Sequence, residues 1–578
     1  MVTRLTVDTY QSSIKGHVIV NRDQLEQLRA RPKARVLVVG GGINGVATFR
    51  YLAMQGIDVA LVERGDYCQG ASGASSHMIH GGIRYLENGE FRLVHESVQE
   101  RNSLLEIAPH YVKPLQTTIP IFSTFSGMLS APMRFLSHKS GKPTERGAAL
   151  IKAGLIMYDV FAGIGGRNTP WHNFKGAKAA RKDLPALRDD VKYTATYFDA
   201  SVHNPERLTL DVLRDGLKAS DQARASNYVE LAGVESGTAK LRDVLTGAEF
   251  DFDAEVIINA TGAWVDLTNA ELGKETKWTG GTKGSHIVLD HPELLAATGG
   301  REIFFENEDG RIVLIYPMLG RVLVGTTDLE HDMRDPAVCT EEEVDYFFDL
   351  IQQVFPRIAV AKEDIVYKFS GVRPLPNHDD TAPGFVSRDY QVKETRLTDS
   401  TTMLSLIGGK WTTFRALAEN LGGKALDFLG ESAKVSTEGV AIGGGKNFPK
   451  NDGELAAWYA AREQRAPHSR LRVLLERYGT GADNVLEQLG QHEQLLEHSS
   501  ELSVEELAYL VEHEQVGRLI DVFIRRTNLA FRGLVTKNLV IEVASHLVTP
   551  MGWDQSQTEA EIDHSLSVLA DSHGVILA

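Results

Sequence analysis

The sequence predicts a mixed α/β (α+β) fold: a Rossmann-like nucleotide-binding region, an antiparallel sheet interleaved with it, and an α-helical C-terminal domain. Three observations predict it. A Val-rich apolar run at residues 36–39 leads directly into Gly40, Gly42 and Gly45 in GxGxxG spacing. Residues 311–327 are rich in β-forming side chains. In the tail, Val516, Leu519, Ile520, Phe523 and Ile524 fall at helical spacing, which predicts an amphipathic helix with Arg525 and Arg526 on a solvated or salt-bridged face.

The elements follow in chain order. The stretch NRDQLEQLRARPKA (21–34) reads as a polar helical leader. A buried parallel strand at 36–39 then meets the glycine turn, where small residues allow backbone to approach a pyrophosphate and the next helix to pack closely. That helix runs from Val46 to about Gln55 and stops at Gly56. A second strand over 58–62 ends on Glu63, whose carboxylate suits both hydroxyls of an adenosine ribose and disfavours a 2′-phosphate. The motif alone does not separate NAD from FAD.

Composition bounds the rest. With 578 residues, 42% hydrophobic and 24% charged, the chain has material for a large core and two to four domains. Its formal charge of −16 disfavours general nucleic-acid binding and leaves room for a local cationic site. Cys68 and Cys339 form no CxxC pattern, which fits a reducing compartment and predicts no metal site. The first twenty residues lack a secretory apolar core, so the cytoplasm is expected; no run of 18 apolar residues suggests a spanning helix.

The loop from Gly70 to Gly82 crowds small residues ahead of a helix, in GASGASSHMIHGGIRYLENGEFRLVHESVQER (70–101). Here the sequence resembles the FAD-dependent (aerobic, quinone-linked) glycerol-3-phosphate dehydrogenase family, whose counterpart reads S-S-K-L-I-H-G-G-x-R-Y-L-E. His77 stands where the family has lysine. Further blocks follow in the family's order: NATGAW (259–264), KGSHIV (283–288), NEDGRIVLIYP (307–317), GTTD (325–328), SGVRPL (370–375), SRDY (387–390) and GGKWTTFR (408–415). The tail VEHEQVGRLIDVFIRRTNLAF (511–531) is similar to the family's helical C-terminal domain, with GGGKNFP (443–449) as the linker into it.

The resemblance implies FAD as cofactor. Its expected contacts are Gly40, Gly42, Ile43, Asn44 and Gly45 at the turn, with Glu63 and Arg64 at the ribose. Ser72, Ser75, Ser76, Ile79, His80, Gly81 and Gly82 are expected in the loop, and Ala260, Thr261 and Gly262 after the later strand. Arg373, Gly409, Lys410, Trp411 and Thr412 complete that set. The implied catalytic group is Arg84, Tyr85, His286, Arg373, Arg388 and Lys410. Arginine forks match phosphate oxygens, Arg373 and Lys410 would polarise the reacting oxygen, and His286 is one choice of base among several. The implied reaction is oxidation of sn-glycerol 3-phosphate to dihydroxyacetone phosphate, with electrons passing to a membrane quinone; an oxygen-using oxidase is the alternative. His77 and His80 lie three apart without a third ligand, so no metal is expected.

The expected organisation is an extension at 1–34, an FAD-dependent unit at 35–440 with a substrate region at roughly 110–190 and 275–365, and a helical domain at 446–578. Residues 114–152 combine uncharged apolar side chains with Arg134, Lys139, Lys142, Arg146 and Lys152 against Glu145 alone. Two readings stand for this segment: peripheral docking on an anionic membrane, at the inner face of the cell membrane, or a surface loop. A homo-oligomer stays open.

Overall fold

The computed structural model describes residues 22–82, 91–122, 148–163, 170–306, 312–377, 389–490 and 493–577. Two sheets and a helical block make up the fold. The first sheet runs in the order Gln391–Arg396, Thr402–Ile407, Glu249–Asn259, Lys33–Val39, Val59–Val62, Arg224–Ser226. From Thr402–Ile407 onward its neighbours are parallel, and the central strands, buried on both faces, read as apolar runs at 36–39, 59–62 and 256–258. The helix Ile43–Met54 packs on this sheet beside Phe414–Leu429 and Pro205–Ala219.

The leader helix Asp23–Ala30 is part of this domain's core, since Leu25 and Leu28 are buried against Val39, Val62 and Phe252. The first strand already begins at Lys33, inside the stretch read as an extension.

The second sheet is largely antiparallel, with Thr279–Leu289 paired to both Arg321–Gly325 and Ile365–Pro376. Beyond these lie Ile312–Met318, Glu302–Glu306, Val112–Ile121, Tyr193–Val202 and Met78–Ile79. Its strands reach past residues 190 and 365, and the two-residue strand Met78–Ile79 ties it to the loop that follows the first sheet. Alternation gives it two apolar faces. Ile287, Val322, Val324 and Ile315 pack on the helix Glu341–Val354, while Val288, Leu314, Tyr316 and Leu323 face the C-terminal helices.

The C-terminal block includes His468–Tyr478, Val504–His513, Lys537–Met551 and Gln555–Ser567. The glycines that lead into it form a packed joint: a Cβ at Gly444 would lie 1.9 Å from the Tyr478 carbonyl oxygen, and one at Gly445 2.2 Å from that of Ile107. The helix expected around residue 520 is present in shortened form. Leu519–Asp521 is one helical turn, followed by a π-turn at Val522–Arg526 that buries Arg525 and Arg526. Helical spacing marked the apolar positions correctly, and of the two readings for the arginines the salt-bridged one holds, with the pairs buried and not on a solvated face.

Candidate active site

The nucleotide end is built by backbone proximity. Gly40 has φ +114°, and a Cβ there would sit 2.7 Å from the Ala260 carbonyl oxygen; one at Gly45 would lie 2.0 Å from that of Gly40. Gly42 caps the helix Ile43–Met54 with no side-chain cap and no acid in the first turn, which leaves the positive end of the dipole facing the turn. Ser72 Oγ accepts from the Ile43 N–H at 3.0 Å, fixing the small-residue loop over the helix start. Asn44 Oδ1 is buried with no partner among the described residues, and its amide crowds Gly409, whose φ is +108°.

Trp411 Nε1 donates to the Ser72 carbonyl at 2.9 Å and Thr412 Oγ1 to that of His80 at 3.3 Å, so the Gly408–Gly409 turn closes on the loop. Thr261 N and Oγ1 are held by Asn259 Oδ1 at 3.2 and 2.6 Å, beside Gly262 at φ +62°. Glu63 accepts from the N–H groups of Gly41 and Gly65 at 2.6 and 2.8 Å; burial pushes its carboxyl pKa up against these two bonds. A backbone-lined cradle at a helix start, with an orphaned amide oxygen and a half-buried acid one strand away, fits a dinucleotide such as FAD.

The second sheet faces this cradle with His286. Gly325 lies opposite it in register, where a Cβ would come 2.1 Å from His286 Cδ2, so the ring occupies the space that glycine leaves. His286 Nε2 is 2.8 Å from Ser76 Oγ, its ring stacks on Phe369, and Nδ1 is buried without a partner among the described residues. Burial, then the charge of Arg373 and the neighbouring His77, drive its pKa well below the ordinary 6.5, so the imidazole is neutral at physiological pH. Tyr316 donates to the Ser76 carbonyl at 2.7 Å, fixing the loop from the same sheet.

Arg373 pairs with Thr282 across the adjacent strand. Its guanidinium donates to Asp328 Oδ1 at 3.1 Å and to Thr326 Oγ1 and the Thr327 carbonyl at 3.0 Å each, and a Cβ at Gly284 would lie 2.2 Å from Arg373 Nη2. Glu343 underpins this corner. It accepts from Lys283 Nζ and Ser285 Oγ at 2.8 Å each, from Thr327 Oγ1 at 2.6 Å and from Thr340 N at 2.9 Å.

The structure brings most of the sequence-selected residues to one place, from Gly40 and Glu63 through Ser72, Ser76 and Ala260 to His286, Arg373, Gly409 and Thr412. Gly81 N–H donates to Asp199 Oδ1 and Tyr158 Oη at 2.9 and 3.1 Å, and Gly82 turns at φ +79°. Ile79 is buried in its short strand, Ser75 Oγ accepts from His77 N at 3.2 Å, and Lys410 Nζ is buried. Arg64 differs, since its side chain is exposed. Arg84, Tyr85 and Arg388 lie outside the described residues. His77 turns away: at φ +56° its ring stacks on Phe531 of the C-terminal block, and burial lowers its pKa to about 3.

Sequence reasoning missed the parts played by Phe369, Tyr316 and Glu343. The T-x-x-E spacing of Thr340 and Glu343 signals a helix cap, but nothing in it shows that the same carboxylate reaches Lys283 and Thr327. Among the described residues no group of three or more His, Cys, Asp or Glu side chains could hold a metal ion.

Residues 35–390 match the family described as FAD dependent oxidoreductase, and residues 435–558 match the C-terminal domain of alpha-glycerophosphate oxidase. A glycerol-3-phosphate dehydrogenase of Synechocystis is 32% identical over 557 residues, 91% of this chain and 94% of its own length. An aerobic glycerol-3-phosphate dehydrogenase of Escherichia coli is 32% identical over 509 residues, 85% of this chain and 93% of its own. In fold, the chain is similar to the glycerol-3-phosphate dehydrogenase from Bacillus halodurans complexed with FAD, with TM-score 0.73 and 22% identity over 96% of this chain and 98% of that one. It is also similar to an L-alpha-glycerophosphate oxidase from Mycoplasma pneumoniae with FAD bound, at TM-score 0.50 and 16% identity over 70% and 98%.

Proposed function

The chain belongs to the FAD-dependent glycerol-3-phosphate dehydrogenase family and is an FAD-dependent oxidoreductase; from that premise we propose that it oxidises sn-glycerol 3-phosphate to dihydroxyacetone phosphate and hands the electrons to a membrane quinone. The observation that carries the reading is a neutral, buried His286 held at Ser76 of the loop, with Arg373 on the adjacent strand close enough for its charge to lower the imidazole pKa. When bound, FAD supplies the two-electron acceptor for the substrate's carbinol hydride. Gly40, Gly42, Ile43, Asn44, Gly45 and Gly409 would hold its pyrophosphate, Glu63 its ribose, and the Ser72–Gly82 loop with Ala260, Thr261, Gly262, Trp411 and Thr412 the remainder.

His286 accepts the hydroxyl proton as the substrate O–H bond breaks. Its depressed pKa keeps the imidazole neutral, with a ring nitrogen able to take that proton. Arg373, fixed on three sides by Asp328, Thr326 and Thr327, presents a preorganised cation to the oxygen on which charge develops. Lys410 adds a second positive group; by resemblance Arg84, Tyr85 and Arg388 line the substrate pocket, where arginine forks would clamp the phosphate.

Quinone is the proposed acceptor because the chain carries an exposed apolar helix face suited to a lipid surface. On Ala148–Gly163, Ile156, Met157 and Val160 are 43%, 40% and 52% exposed, and Trp171 just beyond is 66% exposed. Lys152 on the same helix is exposed and adds a cation to it. Residues 123–147, which carry the rest of the candidate docking segment, lie outside the described residues. No helix among the described residues is long and apolar enough to cross a membrane. Turnover of glycerol 3-phosphate with a soluble quinone under nitrogen tests the acceptor. Turnover there supports the reading, whereas one hydrogen peroxide per substrate in air with no quinone turnover replaces it by an oxidase.

A further inference from the structure

Behind the nucleotide turn, the loop that follows Glu63 is clasped by the C-terminal block. Asp66 is fully buried, and its two oxygens take four hydrogen bonds from that block and its neighbour strand. Arg526 Nη1 and Nη2 donate at 2.7 and 2.9 Å, Arg525 Nε at 2.6 Å and Asn227 Nδ2 at 2.7 Å. Arg526 continues to the carbonyls of Glu514 and Gln515 at 2.9 and 3.1 Å, so the whole tail segment 514–526 is gathered on one carboxylate. Burial alone would raise the Asp66 carboxyl; the two guanidiniums outweigh it and hold the group at about 2.

The next residue carries this contact to the cofactor turn. Tyr67 donates to Gln515 Oε1 at 3.0 Å, and its ring lies against Gly41, where a Cβ would be 2.7 Å from Tyr67 Cδ1 and 2.8 Å from Glu63 Cβ. Cys68 N–H donates to the Gly41 carbonyl at 3.0 Å, and Gly41 N–H to Glu63. Glu63, Asp66, Tyr67 and Gly41 are therefore one packed unit, with the tail on one side and the nucleotide cradle on the other.

We infer that Arg526, Arg525 and Gln515 of the C-terminal block act as positioning residues for the cofactor: they hold Asp66 and Tyr67 so that Glu63 and Gly41 are set for the nucleotide, and cofactor retention is linked to docking of the tail. The inference rests on the FAD reading above. By reciprocity, whatever the docked tail adds to FAD affinity, bound FAD returns as stability of the docked tail.

Full-length holoenzyme carrying Arg526→Lys, and separately Tyr67→Phe, tests this. The first removes the fork and keeps the charge; the second keeps the ring on Gly41 and removes only the bond to Gln515. Flavin release after dilution is followed by its fluorescence, and the melting temperature is measured with and without FAD. The expected result is release at least tenfold faster in Arg526→Lys, a few-fold faster in Tyr67→Phe, and a narrower gap between holo and apo melting temperatures in both. A merely structural role would lower both melting temperatures equally and leave release at the wild-type rate, which overturns the inference. If Arg526→Lys does not fold, Tyr67→Phe decides alone, and an unchanged release rate in it overturns the inference. Because release is read without substrate, a wild type that retains flavin but does not react with glycerol 3-phosphate fails the functional reading only.

Discussion

His286 lies flat on Phe369, with ring centroids 4.8 Å apart and planes 9° from parallel, while its Nε2 points at Ser76 Oγ 2.8 Å away. The stack removes one ring face from water and fixes the nitrogen's direction, which is what a proton acceptor for a bound alcohol needs. His286→Gln is expected to lower kcat by roughly 10²–10⁴-fold. Because burial and Arg373 hold the pKa well below 6.5, the wild-type rate should cross pH 6.5 without an acid limb from this group. A pH–rate profile checks both; a limb near 6.5 that disappears in the variant would contradict the assignment.

Arg373 and Glu343 form the second test. Arg373→Lys loses the fork on Asp328, Thr326 and Thr327, and kcat/KM for glycerol 3-phosphate should fall by roughly 10²-fold, on the order of 3 kcal/mol. Glu343→Ala strands the buried Lys283 and should cost about 3–5 kcal/mol of stability by denaturant titration. Glu343→Gln preserves shape and shifts only the Thr327 corner, so KM should rise more than kcat falls in steady-state kinetics.

Much of this was legible in the chain. The glycine turn, its helix and the acid at Glu63 follow from local rules, because each depends on neighbours within about 25 residues. The arginine partners of Asp66 were not legible, since they lie some 460 positions away and their spacing indicated a solvated or salt-bridged face without naming the acid. His77 likewise looked like a loop residue, and only the fold places Phe531 against it. The sheet register that sets Gly325 opposite His286 depends on three strands meeting, and no spacing along one strand reveals it.

Buried histidines should make stability depend on pH. His77 is lowered to about 3 and His203 and His573 to about 4, each chiefly by burial. An unfolded histidine titrates near 6.5, so below that value the unfolded chain binds more protons than the native one. Stability contributed by these groups is complete above about pH 6.5 and falls by about 1.4 kcal/mol per pH unit per histidine as pH drops toward 4. Thermal melts at pH 7.5, 5.5 and 4.5 check this, and His77→Phe should flatten the slope.

The exposed helix face gives a surface prediction. Ile156→Glu with Val160→Glu should reduce co-sedimentation with anionic vesicles several-fold and leave turnover with a soluble quinone unchanged, since both side chains point to solvent. Equal sedimentation of variant and wild type would remove this helix from membrane contact.

Anaerobic titration of the purified flavoprotein with glycerol 3-phosphate, followed by flavin absorbance, probes cofactor, substrate and site together. The structure and family predict bleaching that is complete near one equivalent and is lost or strongly slowed in Arg373→Lys. A flavin that stays oxidised with glycerol 3-phosphate and bleaches with an amine or amino acid would contradict the proposed reaction.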